Sequence, residues 1–245
     1  MPVFAADLHN HTPASADHHR RSETAARDIV VSALGAGLDI YAATDHLDWG
    51  FSADLIEAAD QVEDESGRRL LVVPGIELRI TYRGDEAHIV ALFDQDNYTH
   101  RFEALLTTLG VKAVLPGTDE LPFFTFEYDP VDACRIIDAL GGIACVAHAD
   151  RAFGSYRLIE RALFDRLLAE TTVSAIDLID PEASRARMDG CRPAIISCSD
   201  SHACGLIGTR RALLEMEELS FPALGRALAG NSVRETYCEP TLNLA

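Results

Sequence analysis

A closed α/β barrel is the fold class this sequence predicts, and two observations predict it. Short apolar runs alternate with helix-patterned segments along the chain, as a parallel sheet with crossover helices requires. Most of those runs end in a histidine or an acidic residue, so polar groups recur at successive strand ends. A closed barrel spreads such groups around a ring, whereas an open doubly wound sheet gathers them at one switch point. The 245 residues suffice for one barrel domain spanning 1–245, with metal-site motifs over 7–202 and a C-terminal helix and tail over 205–245.

Each element has its own signal. Val3–Ala6 reads as a buried first strand that ends in Asp7-Leu8-His9-Asn10-His11-Thr12. Ser22 can cap a helix running to Leu34, stopped by Gly35 and Gly37. Ile40–Ala43 is a second short strand, ending in Thr44-Asp45-His46. Ser52 opens a helix through Leu55, Ile56 and Val62, and Gly67 closes it. Leu70–Val73 is the third strand and leads into Pro74-Gly75-Ile76-Glu77. Its continuation, Leu78–Tyr82, turns at Arg83-Gly84-Asp85 and returns through Ala87–Phe93, with His88 inside the returning run.

A helix over Tyr98–Leu109 follows. Residues 116–128 hold three Phe, three acidic residues and two Pro without a period, and read as an ordered loop placed to cover a site. Asp129-Pro130 is a cap and first turn for a helix that ends at Gly141-Gly142. Ile143–Ala147 is a strand with His148 at its end, and a helix through Leu158–Leu168 leads to a strand at Ala175–Ile179. After a short helix, the strand Ala194–Cys198 ends in Ser199-Asp200-Ser201-His202, and a last helix is expected near Ser220–Ala229. About seven strands result, mostly joined by helices.

Composition narrows the function. A formal net charge of −18 argues against a passive polyanion-binding surface, so long nucleic acid is an unlikely partner. The six cysteines form no C-x-x-C pair and several lie in apolar runs, which points to reduced, buried thiols and a cytoplasmic location. No basic segment followed by an apolar block opens the chain, and no apolar stretch is long enough for a bilayer span, so no membrane contact is expected.

The strand-end residues then carry the chemistry. His9 and His11 are two apart, and residues so spaced in an extended chain face the same way, so together they can grip one cation. His46, Glu77, His148, Asp200 and His202 terminate further runs, and His88 lies in one. A single strand-end histidine is ordinarily a surface or capping residue. Recurrence across the chain, interleaved with Asp and Glu, is what points to metal, because imidazole and carboxylate together suit zinc, manganese or iron.

In these motifs, Asp7-Leu8-His9-Asn10-His11-Thr12, Thr44-Asp45-His46, Pro74-Gly75-Ile76-Glu77, His88, His148 and Ser199-Asp200-Ser201-His202, the chain resembles the PHP (polymerase and histidinol phosphatase) family. The resemblance runs from residue 7 to about residue 235 with the motifs in the family's order. It implies a distorted (β/α)7 TIM-like barrel with two or three divalent metals, Zn, Mn or Fe, at its C-terminal rim. Carried over position by position, it implies His9, His11, Glu77 and Asp200 on a first ion, and Glu77, His88 and His148 on a second bridged by Glu77. Asp17, His46 and His202 would hold a third. Asp45, and Asp7 with it, would orient ligand imidazoles from behind. Two departures stand out: His18 and His19 follow Asp17 where the family often has Gly, and Ala149-Asp150-Arg151 follows His148 where Pro is common.

The resemblance implies a metal-dependent phosphoesterase acting on a small phosphorylated metabolite or nucleotide through a metal-activated hydroxide, most simply as a phosphomonoesterase. Glu77, Asp200 and His202 would be the catalytic residues. His202, or His18, would protonate the departing oxygen where it is free of metal. Phosphate calls for a guanidinium, and Arg151 is the first candidate, with Arg20, Arg79 and Arg210 behind it. The alternatives are a nuclease on short oligonucleotides, a non-catalytic metal-binding regulatory module, and hydrolysis of a C–N bond. Similar domains occur ahead of ATPase modules, but no Walker-type loop is present, so an ATPase partner would be a separate chain.

Overall fold

The structure is a computed structural model, and it describes residues 1–15, 25–111, 125–150, 161–188 and 190–238. The strands are β1 (Val3–Asp7), β2 (Ile40–Ala43), β3 (Leu71–Tyr82), β4 (Asp85–Leu92), β5 (Thr125–Glu127), β6 (Ile143–Val146), β7 (Val173–Asp177), β8 (Ala194–Ile196), β9 (Arg210–Glu215) and β10 (Val233–Cys238). The helices are α1 (Ala26–Gly35), α2 (Ser52–Ser66), α3 (Tyr98–Leu109), α4 (Pro130–Ala139), α5 (Arg161–Ala169), α6 (Pro181–Met188) and α7 (Phe221–Ala229). All strands belong to one sheet in the order β10-β9-β1-β2-β3-β4-β6-β7-β8, with β5 attached to β3.

The sheet bends into a barrel and is closed by backbone pairing beyond the strand ends. Asp200 N–H donates to His9 O at 2.9 Å, and His11 N–H donates to Ser201 O at 2.8 Å, so the chain after β8 runs parallel to the chain after β1. The ring is therefore β1, β2, β3, β4, β6, β7 and β8, a distorted α/β barrel as expected. It is not all parallel: β4 runs antiparallel to both neighbours, β3 and β6. The parallel sheet is interrupted there by the expected return through Arg83-Gly84, which makes β3 and β4 a hairpin and not a crossover. Arg83 (φ 54°) and Gly84 (φ 93°) both take the left-handed conformation that a tight two-residue hairpin demands.

The region 205–245 is also more than a helix and tail. It supplies β9, antiparallel to β1, and β10, antiparallel to β9, on either side of α7. Both strands carry charged residues, with only Ala212 and Leu214 of β9 buried in alternation, so pairing of β9 with β1 and of β10 with β9 decides their conformation.

Alternating side chains sort into layers. Ala6, Leu8, Ile40, Ala42, Leu71, Val73, Val90, Leu92, Cys145, Ala175 and Ile196 form the inner cluster with Phe221, Leu224 and Leu228 of α7. Tyr41, Ala43 and Val72 point the other way, onto α1 and α2, while Leu78, Ile80, Ile89 and Phe93 pack on α3 and α4. Burying each large aliphatic chain in these layers contributes about 1.5–3 kcal/mol. Two helix starts agree with the sequence signals: Asp129 accepts from Val131 N–H at 2.9 Å with Pro130 in the first turn, and Ser220 accepts from Ala223 N–H at 3.3 Å, whereas α1 starts after Ala25, with the expected cap Ser22 outside the described residues. Such a cap is worth about 1 kcal/mol. The segment 116–128 falls largely outside the described residues, but its end forms β5, parallel to β3 at Arg79–Thr81.

Candidate metal centre

The inward face of β3 runs Leu71, Val73, Gly75 and then Glu77, so the carboxylate continues an apolar row into the barrel mouth. Gly75 is required there. A Cβ would meet Leu92 Cδ2 at 2.7 Å, Thr44 Cγ2 at 2.8 Å and the Ala43 carbonyl at 2.9 Å. Only a bare backbone lets β2 and β4 close around the residue next to Glu77.

Glu77 is almost wholly buried, at 1% exposure, and is surrounded by imidazoles. Its Oε2 lies 3.3 Å from His9 Nε2, 3.2 Å from His11 Nε2 and 3.4 Å from His46 Nδ1. Its Oε1 lies 2.6 Å from His88 Nδ1 and 3.3 Å from His148 Nε2. The two oxygens thus face two different groups of histidines. Asp200 Oδ1 sits 3.3 Å from His11 Nε2 and 3.7 Å from His9 Nε2. Three overlapping sets of ligand atoms result: His9, Glu77 and His148; His9, His11 and Asp200; and His11, His46 and Glu77.

Strand ends place these groups. His9 and His11 lie just past β1, where they are fixed by the ladder to Asp200 and Ser201 rather than by strand alternation. His46 pairs with Glu77 across the β2–β3 boundary, held by Glu77 N–H donating to Asp45 O at 3.1 Å. His148 (φ 28°) and Asp200 (φ 52°) both sit in the left-handed region, where a side-chain-bearing residue is strained. His202 stands on the rim, its ring 4.3 Å from that of His11 and its Nδ1 3.0 Å from Asp200 O.

The electrostatics call for positive charge. Burial opposes protonation of His9, yet Glu77 and Asp200 outweigh it and raise its pKa well above the ordinary value. His11 is likewise pushed up to about 9, burial being overcome by hydrogen bonds to Asp200 and Glu77. Glu77 is held well below the usual carboxylate range, because His9, His88 and His46 overcome its desolvation. Neither ring nitrogen of His9, nor His148 Nδ1, makes a hydrogen bond. Buried imidazoles without hydrogen-bond partners, converging on two carboxylates, fit divalent cations: metal replaces the protons and takes up the orphaned nitrogens.

Other expected residues are placed differently. Asp45 and Asp7 do not back a ligand imidazole. Both Asp45 oxygens take hydrogen bonds from Thr12, from N–H at 2.6 Å and from Oγ1 at 2.5 Å, anchoring the loop that carries His11. Asp7 accepts from Ser199 and from Gly208 N–H, the latter at 2.9 Å. Arg210 donates to Cys198 O at 2.6 Å and Ser199 O at 2.9 Å, bracing the turn before Asp200. Asp17, His18, Arg20 and Arg151 lie outside the described residues.

Three contributors escaped the sequence reading. Asp177 Oδ2 lies 3.7 Å from His9 Nδ1 and accepts from His148 N–H at 3.1 Å, while its Oδ1 accepts from Cys198 N–H at 2.8 Å. Its signal was present, an acid closing the apolar run Ala175-Ile176, but a strand drawn on to Ile179 hid it mid-element. Asn10 Oδ1 accepts from both Ser199 Oγ (2.9 Å) and Ser201 Oγ (2.7 Å). Asp150 accepts from Ile179 N–H at 2.7 Å and Asp180 N–H at 2.8 Å, fixing the chain after His148 against β7's exit.

No protein-family model matches the sequence, and no curated protein matches it. Solved structures do. The chain is similar to the lesion-specific endonuclease Q of Pyrococcus furiosus, at 15% identity over 96% of this chain and 58% of that one, with a TM-score of 0.71. It is similar to endonuclease Q in complex with a 27-mer duplex carrying an abasic lesion at the active site, at 16% identity over 94% and 57%, with a TM-score of 0.64. A candidate metal-dependent phosphoesterase from Bifidobacterium adolescentis matches at 17% identity over 82% and 88%, with a TM-score of 0.55. The chain has the α/β-barrel fold of these structures. It spans 58% and 57% of the two endonuclease Q chains. No helix among the described residues is long and apolar enough to cross a membrane.

Proposed function

We propose that this chain is a metal-dependent hydrolase of phosphate esters. The observation that carries the reading is the divided environment of Glu77, one oxygen toward His9, His11 and His46 and the other toward His88 and His148. A carboxylate so placed suits two neighbouring cations. His9, His11 and Asp200 would complete one site with Glu77, and His88 and His148 the other. His46 stands nearer the first group than the separate third site implied by the family resemblance, and Asp17 and His202 remain the candidates for that third site. Zn, Mn and Fe all suit this mixed donor set.

Divalent ions held there would neutralise phosphate charge, lower the pKa of a bound water and stabilise the departing oxygen. The chain's own residues supply position. Glu77 and Asp200 keep the centre anionic enough to retain cations. His202, on the rim and partly exposed, would hand a proton to a leaving group where it is free of metal. Arg151 remains our candidate for gripping the phosphate.

For the substrate, the net charge of −18 favours a small phosphorylated metabolite or nucleotide over a long polyanion. A nuclease reading is supported by the extent of the likeness to endonuclease Q, whose complex holds a lesion-bearing duplex. An assay panel separates them: phosphomonoesters, nucleoside bisphosphates, dinucleotides and an abasic-site duplex, each with Mn, Zn or Fe and with stripped protein. Turnover of the small esters alone supports the first reading, and cleavage of the duplex supports the second. No metal-dependent hydrolysis of any of them, neither phosphate release from the monoesters nor strand or diester cleavage, would overturn both.

A further inference from the structure

The β3–β4 hairpin extends past the barrel wall, and its two faces differ. Leu78, Ile80, Ala87 and Ile89 join the outer core. The cross-strand pairs Arg79–His88 and Thr81–Glu86 share the opposite face with Glu77. On that face Glu86 Oε1 lies 2.8 Å from His88 Nε2 and accepts from Arg79 Nε at 2.8 Å, with Arg79 Nη2 at 2.7 Å. The other nitrogen of His88, Nδ1, is the one 2.6 Å from Glu77 Oε1. His88 is therefore held between two carboxylates, one inside the centre and one outside it.

We propose that Glu86 is a positioning residue, which accepts a hydrogen bond from Nε2–H of His88 and so presents the Nδ1 lone pair to the ion shared with Glu77 and His148. This rests on the metal-centre reading above. A neutral imidazole has one donor and one acceptor nitrogen, so fixing the proton at Nε2 decides which nitrogen can ligate. A carboxylate behind the ring also makes it a stronger ligand. Arg79 shares that carboxylate, but the bond from His88 Nε2 does not depend on it.

The competing account is that Glu86 merely ties the hairpin together through Arg79. Cobalt titration of the metal-free chain, followed by visible absorption and by calorimetry, distinguishes the two. Wild type should take up at least two ions. Glu86→Ala should weaken one of them by about 10–100-fold and alter its absorption band. Glu86→Gln, whose amide oxygen still accepts from Nε2–H, should lose less, and Arg79→Ala should bind close to wild type. Unchanged affinity and spectrum in Glu86→Ala, or an equal loss in Arg79→Ala, would overturn the positioning role while leaving the metal centre intact. If Glu86→Ala fails to fold, Glu86→Gln decides: weaker binding than in Arg79→Ala supports the role, and binding no weaker overturns it. A wild-type chain that takes up no cobalt would remove the metal-centre reading itself, and this role with it.

Discussion

Ser199 is bonded twice to Asp7: its N–H donates to one carboxylate oxygen at 3.0 Å and its hydroxyl to the other at 2.6 Å. Asp7 is fully buried, and burial pushes its pKa up to about 6 even against those hydrogen bonds. The bond joins the first ligand-bearing segment to the last, across the seam where the barrel closes.

Asp7→Ala should therefore act on fold and metal together. It leaves the N–H groups of Ser199 and Gly208 buried without acceptors, each unmet group costing about 1–3 kcal/mol. Urea denaturation should show a loss of about 2–4 kcal/mol, with weaker metal binding as Asp200 loosens. A denaturation midpoint equal to that of wild type would dismiss the seam as a stability element.

Glu77→Gln should fold, because its volume is kept and the apolar layers are untouched. It replaces one carboxylate oxygen with an NH2 group that faces imidazoles and cannot ligate a cation. The expected outcome is loss of at least one ion on elemental analysis and loss of nearly all phosphoesterase activity. Glu63→Gln on α2, whose nearest partner is Arg69 at 4.0 Å, is the control and should match wild type. Full metal content in Glu77→Gln would refute the bridging role.

Gly75→Ala tests the approach of β2 and β4. The added Cβ would overlap a backbone carbonyl and two side chains at 2.7–2.9 Å, so the strands must part. Overpacking of this kind costs about 1–3 kcal/mol, and thermal melting should fall accordingly. An unchanged melting temperature would mean that the strands separate freely there.

The metal-free protein should be sensitive to alkali. His11 is raised from 6.5 to about 9 and His9 is raised well above its ordinary value, so their pairing with Glu77 and Asp200 stabilises the fold fully below pH 6.5. That contribution fades as pH climbs through 9, while the depressed carboxylates Glu77 and Asp200 lose theirs only in strong acid. Melting of stripped protein should drop between pH 6.5 and 9, and saturating Zn or Mn should abolish the drop. A flat profile in stripped protein would contradict the protonated-cluster picture.

Much of this was legible in the sequence because apolar runs and their polar ends are local. Val3 to Asp7, Ile40 to Ala43 and the Asp129-Pro130 start each declare themselves within a few residues. The reversal of β4 was legible too, through Arg83-Gly84, but its effect on the sheet's direction depends on β6 pairing with it from 50 residues away. β9 and β10 were illegible, since it is pairing with β1 that makes a strand of Arg210–Glu215, and pairing with β9 that makes one of Val233–Cys238. The roles of Asp7 and Asp45 were misjudged for the same reason. A buried acid between two motifs can serve an imidazole or a backbone turn, and only the distant partner decides.

Closure of the barrel through residues 9–11 and 200–201 has a kinetic consequence. A ribosome delivers His9 first and Asp200 nearly two hundred residues later, so the emerging polypeptide cannot assemble its whole cation site until translation has passed that aspartate. Contacts of such sequence separation make folding slow. Until then the early histidines stay within reach of stray metal, and the half-built β1 edge stays open to the wrong strand.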